Sequence, residues 1–466
     1  MICNPYLPPY EYVPDGEPYV FQDRLYIYGS HDQANNPGFC VEDYVVWSAP
    51  CEDLSKWKYE GISYKRTEDP HNEDGAHALF APDVVRGKDG NYYLYYCLDF
   101  LEEFGVARSS QPQGPFTFYG HVRRQDGSLL KEFFPYDPSV LIDDDGRIYL
   151  YYGFSAHFIS GSFGKITPSP GCMVVQLEDD MLTIKTEPKV CLSCEDASCP
   201  PEHAYFEAPS MRKINDLYYL VYSSQSQHEL CYATGRYPDK DFTYRGVIIS
   251  NGDIGYRGNQ KAVNYVGTNH GGLVGIQGEW YIFYHRNTHG LATSRQGCAE
   301  RIVIKEDGAI EQVPVTSYGL RGKPFEGKGE YPAYIACYLE RSDTQPKMSY
   351  GKDYKETEPY FFENRTENGL EHYIANIINN TKWGYHAFDL DKNVSIQLVL
   401  KGQAEGNISV CADREGDQQL GRMNINMDAE EWVPVAIDLQ NPAGISNLYF
   451  FFHGTGSLNF KALIFV

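Results

Sequence analysis

The chain has 466 residues, too many for one ordinary core, and this points to two domains of unequal size. It carries 40 Lys and Arg against 63 Asp and Glu, a formal charge of −23. That excess excludes nucleic acid and anionic membrane surfaces as partners and is explained by solubility. No run of 18 apolar residues is present, and the N-terminal MICNPYLPPYEY lacks the basic and apolar regions of a signal peptide.

In chain order, one short strand pattern recurs: DRLYIYG (residues 23–29), GNYYLYY (90–96), GRIYLYY (146–152), DLYYLVY (216–222) and GEWYIFY (278–284). The copies align Tyr26, Tyr93, Tyr149, Tyr219 and Tyr281 at spacings of 56 to 70 residues. Five such units predict an all-β fold, a five-bladed β-propeller over residues 1–320. VVWSAP (45–50), GVARSSQPQGPFTFYG (105–120) and LCYATGRYPDKDFTYRG (230–246) read as outer hairpins of blades one, two and four. The loop 68–77, rich in Asp, Glu, Asn and His, precedes Phe80 and is a candidate pocket wall. Residues 154–204 hold the longest insertion, with FSAHFISGSFGK at its start, and are expected to line part of a cleft. ERIVIKEDGAIEQVPVT (300–316) is expected to supply two strands finishing blade five, and GLRGKPFEGKGEYP (319–332) reads as a linker. Residues 331–466 form a second unit of spaced, alternating strands, a β-sandwich of jelly-roll type.

Most of the twelve cysteines, such as Cys97, Cys231 and Cys411, fall inside strand-like runs and read as small buried hydrophobes in a reduced, cytoplasmic protein. Cys191, Cys194 and Cys199 admit a zinc reading only if His203 or a distant residue completes the set.

Ten to twelve residues before each aligned tyrosine stands an ionisable residue: Asp15, Asp83, Asp137, Glu207 and His270. One Asp beside Pro is ordinarily a turn former. Five in register predict groups converging on one funnel, where pKa values are driven apart for acid and base work.

The segments VPDGEPYVF, FAPDVV, YDPSVLIDDDGRIYLYYG, YFEAPSM and NHGG, in this order, resemble glycoside hydrolase family 43. The resemblance spans residues 4–320 and implies an inverting, exo-acting hydrolase releasing α-L-arabinofuranosyl units from arabinoxylan-derived oligosaccharides. β-Xylosidase and a catalytically silent sugar-binding propeller are the alternatives, and the oligomeric state is open. It further implies Asp15 as general base, Asp137 as pKa modulator and orienter, and Glu207 as general acid. Phe80, Phe206, His270 and Arg295 are implied at the substrate. No cofactor is required, although His270 is also the residue implied near a structural calcium or other cation in the propeller channel. Glu17 rivals Asp15, because the family's base usually stands directly before Pro and here Gly16 and Glu17 precede Pro18. Asp83 is read as structural. The C-terminal unit resembles a family 6 carbohydrate-binding module through HGTGSLNFKALIF and NTKWGYHAFDL, with Trp383 and Asn459 as sugar contacts or, equally, as a core Trp and a turn Asn.

Overall fold

The computed structural model describes residues 1–99, 101–156, 166–341, 358–366, 369–391, 393–440 and 444–466. Most of the Ser/Gly-rich stretch, residues 157–165, therefore lies outside the described residues. Among the described residues there are strands and short 3-10 turns, and no helix is long and apolar enough to cross a membrane.

Five antiparallel sheets, each of consecutive strands, make up residues 17–302. Blade one is β1 (Glu17–Phe21), β2 (Arg24–Tyr28), β3 (Tyr44–Pro50) and β4 (Lys58–Tyr64). Blade two is β5 (Leu79–Arg86), β6 (Tyr92–Leu98), β7 (Phe104–Ser109) and β8 (Thr117–His121). Blade three is β9 (Ser139–Ile142), β10 (Ile148–Tyr152), β11 (Gly171–Leu177) and β12 (Lys189–Ser193). Blade four is β13 (Tyr205–Ile214), β14 (Leu217–Ser224), β15 (Glu229–Gly235) and β16 (Thr243–Ser250). Blade five is β17 (Leu273–Ile276), β18 (Glu279–Arg286) and β19 (Gln296–Ile302). Each aligned tyrosine lies in the second strand of its blade and is buried. Packing of both sheet faces between neighbouring blades explains why these strands read as continuous aromatic runs rather than alternating ones.

Blade five departs from expectation. The expected segment 300–316 contributes its first three residues to β19; beyond them, among the described residues, only an isolated bridge, Ile304 to Ile310, forms, so the second expected strand is absent. The segment instead leans on blade four. The Tyr219 hydroxyl donates to Gly308 O at 3.0 Å, Tyr232 Oη accepts from Ile310 N–H at 2.8 Å, and Val313 N–H donates to Ile248 O at 2.9 Å. The ring is closed from the N-terminus. Asn4 N–H donates to Ser317 O at 2.8 Å and Tyr6 N–H to Gly297 O at 3.1 Å. The Asn4 amide donates to Ala299 O, Glu300 Oε1 and Thr316 O, and its oxygen accepts from Ala299 N–H. A parallel bridge from Gly16 to Gly271 joins blades one and five beside the funnel.

The second unit begins earlier than the linker reading allows. β20 (Phe325–Glu326) pairs in parallel with β25 (Thr381–Leu390), and β21 (Gly329–Pro332) pairs with β28 (Gly444–Phe465), so residues 325–332 are built into the sandwich. The long β26 (Asn393–Cys411) runs between β27 (Gln419–Gln440) and β28, with register shifts at Leu400/Gly402 and Val410/Cys411 where the sheet bends. Trp383 is fully buried, stacked on Phe450 with ring centroids 5.3 Å apart at 16°. Of its two readings the core one holds. Asn459 Oδ1 accepts the Asn376 amide at 3.2 Å.

The sandwich is cemented to the propeller. Cys337, Tyr338, Tyr449 and Phe451 share one apolar cluster with Val263, Ile282 and Val315. Arg414 pairs with Glu340 at 2.8 Å through both Nε and one terminal nitrogen and donates to Asn259 Oδ1 and Ala262 O across the junction.

Candidate active site

The first strand of a blade reaches the funnel mouth, and the backbone there is bent to aim side chains inward. Asp15 and Asp137 have φ of 55° and 48°, and Ala208, after Glu207, has φ of 60°. Asp tolerates the left-handed region better than most residues, whereas Ala at such an angle is strained. In β13 the register with β14 slips on both sides of Glu207. Pro209 has no N–H for the ladder, and the resulting bulge turns the Glu207 carboxyl out of the sheet.

These side chains face a cavity of about 510 Å³ whose lining includes Asp15, Asp137, Glu207, His270, His285 and Arg295. Phe80 and Phe206, the two aromatics expected at the substrate, also line it. Phe154, Tyr136 and Phe206 build an apolar wall, with Phe154 centroids 5.1 Å from Tyr136 and 5.3 Å from Phe206. Ala76 and Ala78, at the end of the acidic loop, and Phe154 and Ile166, from the long insertion, complete walls expected from those segments.

Asp15 is buried, which alone would favour its neutral form. Arg295 outweighs that cost: its guanidinium donates to both Asp15 oxygens, at 2.8 and 3.2 Å, and with the cationic His270 it holds the Asp15 pKa below the usual carboxylate range. Arg295 is itself oriented by Asp32, to which it donates from Nε at 2.9 Å and from a terminal nitrogen at 3.0 Å. His285 is neutral. Burial drives its pKa down to about 3, its Nε2–H donates to Thr268 O at 2.6 Å, and Nδ1 accepts the Asp15 amide at 3.2 Å.

Glu207 is in the opposite condition. Burial, then the charge of Asp137, raises its pKa well above the usual value, which favours its protonated form. Burial also raises Asp137, although the Ala208 amide, donating to its Oδ2 at 3.2 Å, and His270 oppose the rise. The two titrate together. His270 stands beneath them, Nδ1 3.9 Å from Asp137 Oδ2 and Nε2 3.7 Å from Glu17 Oε1. Burial disfavours its charge, but the carboxylates of Glu17, Asp137 and Asp15 lift its pKa to about 9.

Two residues of the five-blade pattern and its neighbourhood stay outside the cavity lining. Glu17 accepts from Arg212 at 2.5 Å and Ser210 at 3.0 Å. Asp83 accepts the Tyr19 hydroxyl at 2.7 Å and the Val140 amide at 2.7 Å, tying blades one, two and three together. Between Asp15 and Glu17, the geometry therefore puts only Asp15 against the cavity. Glu17 Oε1 is a buried acceptor with no hydrogen-bond partner beside His270. An imidazole and two carboxylate oxygens at these distances fit a cation reached through water rather than a fully protein-ligated one, which requires six to eight oxygens for calcium.

Sequence reasoning missed His285 and Asp32. Their signals were present: His285 directly follows the aromatic run of its blade, and Asp32 follows that of blade one after GSH.

The profile described as "Glycosyl hydrolases family 43" matches residues 12–310, the span of the propeller and all the residues above. The chain belongs to glycosyl hydrolase family 43. It is a glycoside hydrolase. The xylosidase/arabinosidase of Thermoclostridium stercorarium is 43% identical, covering 98% of both chains. A solved β-xylosidase/α-arabinofuranosidase from a compost microbial metagenome, in complex with xylotriose, is 28% identical over 67% of this chain and 98% of its own, with a TM-score of 0.54. An arabinoxylan arabinofuranohydrolase of Bacillus subtilis in complex with cellotetraose shares the fold over 99% of this chain and 97% of its own, with a TM-score of 0.52 at 20% identity. In this family 43 enzyme, a second cleft of about 600 Å³ between blade one and the sandwich, lined by Tyr10, Trp47, Tyr59 and Glu363 among others, contains none of the three carboxylates.

Proposed function

We propose that this enzyme is an inverting, exo-acting glycosidase that releases α-L-arabinofuranosyl units from short arabinoxylan-derived oligosaccharides. One observation carries the reading: a single cavity holds one carboxyl group kept ionised by Arg295 and another kept protonated by burial and Asp137. Glycoside hydrolysis by inversion needs that pair. Glu207 donates its proton to the glycosidic oxygen as the bond to the anomeric carbon breaks. Asp15 accepts a proton from the water that attacks from the opposite face. Asp137 keeps Glu207 protonated, and its bond to the Ala208 amide fixes the backbone on which Glu207 stands. A cation near His270, held through water by Glu17 and Asp137, would supply positive charge beneath the carboxyl pair.

The exo preference is supported by the aromatic wall of Phe154, Tyr136 and Phe206 around a cavity sized for few sugar rings. β-Xylosidase action is the second reading, supported by the combined xylosidase/arabinosidase naming of the T. stercorarium relative. A cytoplasmic setting is proposed from the burial of cysteines such as Cys97, Cys231 and Cys411 inside strands, where they pack as small apolar residues.

A panel of aryl glycosides tests the assignment. The α-L-arabinofuranoside should give the highest kcat/KM, with the β-D-xyloside second. The reverse order would make the enzyme a β-xylosidase, and turnover of neither would overturn both readings.

A further inference from the structure

The acidic loop that forms one wall of the cavity carries a second constellation on its far side. After the short 3-10 turn at Arg66–Glu68, Asp69 and His71 meet Glu103, just ahead of β7, and His121, at the end of β8. His71 Nδ1 is 2.6 Å from Glu103 Oε1. His121 Nε2 is 3.1 and 3.2 Å from the two Asp69 oxygens and 3.8 Å from Glu103 Oε1. The donor atoms of Asp69, His71 and His121 all lie within 4.8 Å of one another, and the two imidazoles stack at 4.3 Å and 14°.

We propose that Asp69, His71, Glu103 and His121 form a zinc-binding site that clamps the loop of residues 66–78 to blade two. Four ligands at zinc bond lengths of about 2.0–2.1 Å stand roughly 3.3 Å apart in a tetrahedron. The His71–Glu103, His121–Asp69 and His121–Glu103 contacts, 2.6 to 3.8 Å, lie around that value, and the donor atoms of Asp69, His71 and His121, all within 4.8 Å of one another, would close slightly onto the ion. Two imidazoles with two carboxylates suit zinc. Calcium takes an all-oxygen shell, and copper(I) is selected by thiolates and thioethers.

The surroundings fit as well. Asp69, 1% exposed, is fixed by the Tyr96 hydroxyl at 2.5 Å and the His71 amide at 2.8 Å, outer partners of the kind that orient metal ligands. The His71 side chain, 47% exposed, gives an entry path. Coordination requires a lone pair on each imidazole, so the proton on the coordinating nitrogen moves to the other ring nitrogen or to solvent, and binding weakens on acidification. None of the four lines the catalytic cavity, but Arg66, Ala76 and Ala78 of the same loop do. A zinc ion here would fix that wall without entering the chemistry.

The test is calorimetric titration of Zn²⁺ into the EDTA-treated full chain, with hydrogen exchange of residues 66–78 followed in parallel. The expected result is a saturable equivalent of Zn²⁺ that slows exchange in the loop. His71→Ala, at a half-exposed position, and His121→Ala should each lose that equivalent. His203→Ala should keep it; it removes a ligand from the separate grouping of His203, Glu229 and Cys231. Absence of saturable binding in the wild type, binding unchanged in both the His71 and His121 variants, or loss only in His203→Ala would overturn the proposal.

Discussion

Asp15 and Glu207 share a cavity, yet the side chains around them drive them to opposite protonation states, and their consequences separate by experiment. For a natural sugar leaving group, Glu207→Ala should cost on the order of 10²–10⁴ in rate. A dinitrophenyl glycoside leaves without protonation, so most of that loss should vanish there. Asp15→Asn should be severe on both substrates, because water must be activated whichever group departs. Glu17→Gln separates the rival base from the assigned one. Its carboxylate is committed to Arg212 and Ser210, so the variant should lower thermal stability while leaving the leaving-group dependence of the wild type. A leaving-group-independent collapse in Glu17→Gln with near-normal Asp15→Asn would reverse the assignment. Arg295 was legible from its motif, but its role in keeping Asp15 ionised was not, because Asp32 and Arg295 are brought together from 263 residues apart.

At the level of single elements, the bulge in β13 is the device that exposes Glu207. Ala208 sits at φ of 60°, fully buried. Ala208→Gly should retain the fold and most activity, since glycine accepts that angle freely. Ala208→Val should lose activity through displacement of Glu207, because a β-branched residue is a genuine outlier there. Equal kinetics in the two variants would show that the bulge does not position the acid. The five-strand repeat was readable because each blade buries both faces of an aromatic second strand. The fourth position of blade five was not, since the hydroxyls of Tyr219 and Tyr232 that draw residues 308–310 away from it belong to another blade. Likewise 319–332 read as a linker from its Gly, Lys and Pro content, while the pairing partners of its strands lie 63 and 130 to 136 residues onward. Trp383 admitted both a sugar-contact and a core reading, because sequence does not say which face of β25 meets the apolar cluster.

Across the whole molecule, closure and titration give two further tests. Asn4→Ala removes the amide that joins the N-terminus to β19 and Thr316 and leaves buried partners unpaired, each at a cost of about 1–3 kcal/mol. The melting temperature should fall clearly; a shift indistinguishable from zero would mean the ring is held shut elsewhere. The pH dependence follows from buried carboxyl groups whose folded pKa values are raised. Burial lifts Asp253 to about 7 and Glu300 to about 8, and raises Glu207 and Asp137 as well. Such groups bind more protons folded than unfolded once the pH exceeds their ordinary values near 4, so their stabilising effect is full below that and is lost as pH rises through the folded values. His270, lifted to about 9, acts in the same direction above its ordinary value. Carboxyl groups with lowered values, such as Glu363 at about 2, matter only at lower pH, whereas the buried imidazoles of His285, lowered to about 3, and His386, lowered to about 4, make stability rise with pH up to their ordinary value of 6.5. Melting temperature should therefore decline from about pH 7 to pH 8, above the range where the neutral histidines oppose it, and a rise over that window would contradict the burial of these acids. The decisive measurement remains the stereochemistry of the first product. In proton NMR of an arabinofuranoside digest followed from the first turnovers, free sugar should appear with the anomeric configuration opposite to the substrate, because water attacks directly opposite the protonated leaving group. Initial appearance of the retained anomer would require a covalent intermediate, and Asp15 and Glu207 would then not be the base and acid of an inverting pair.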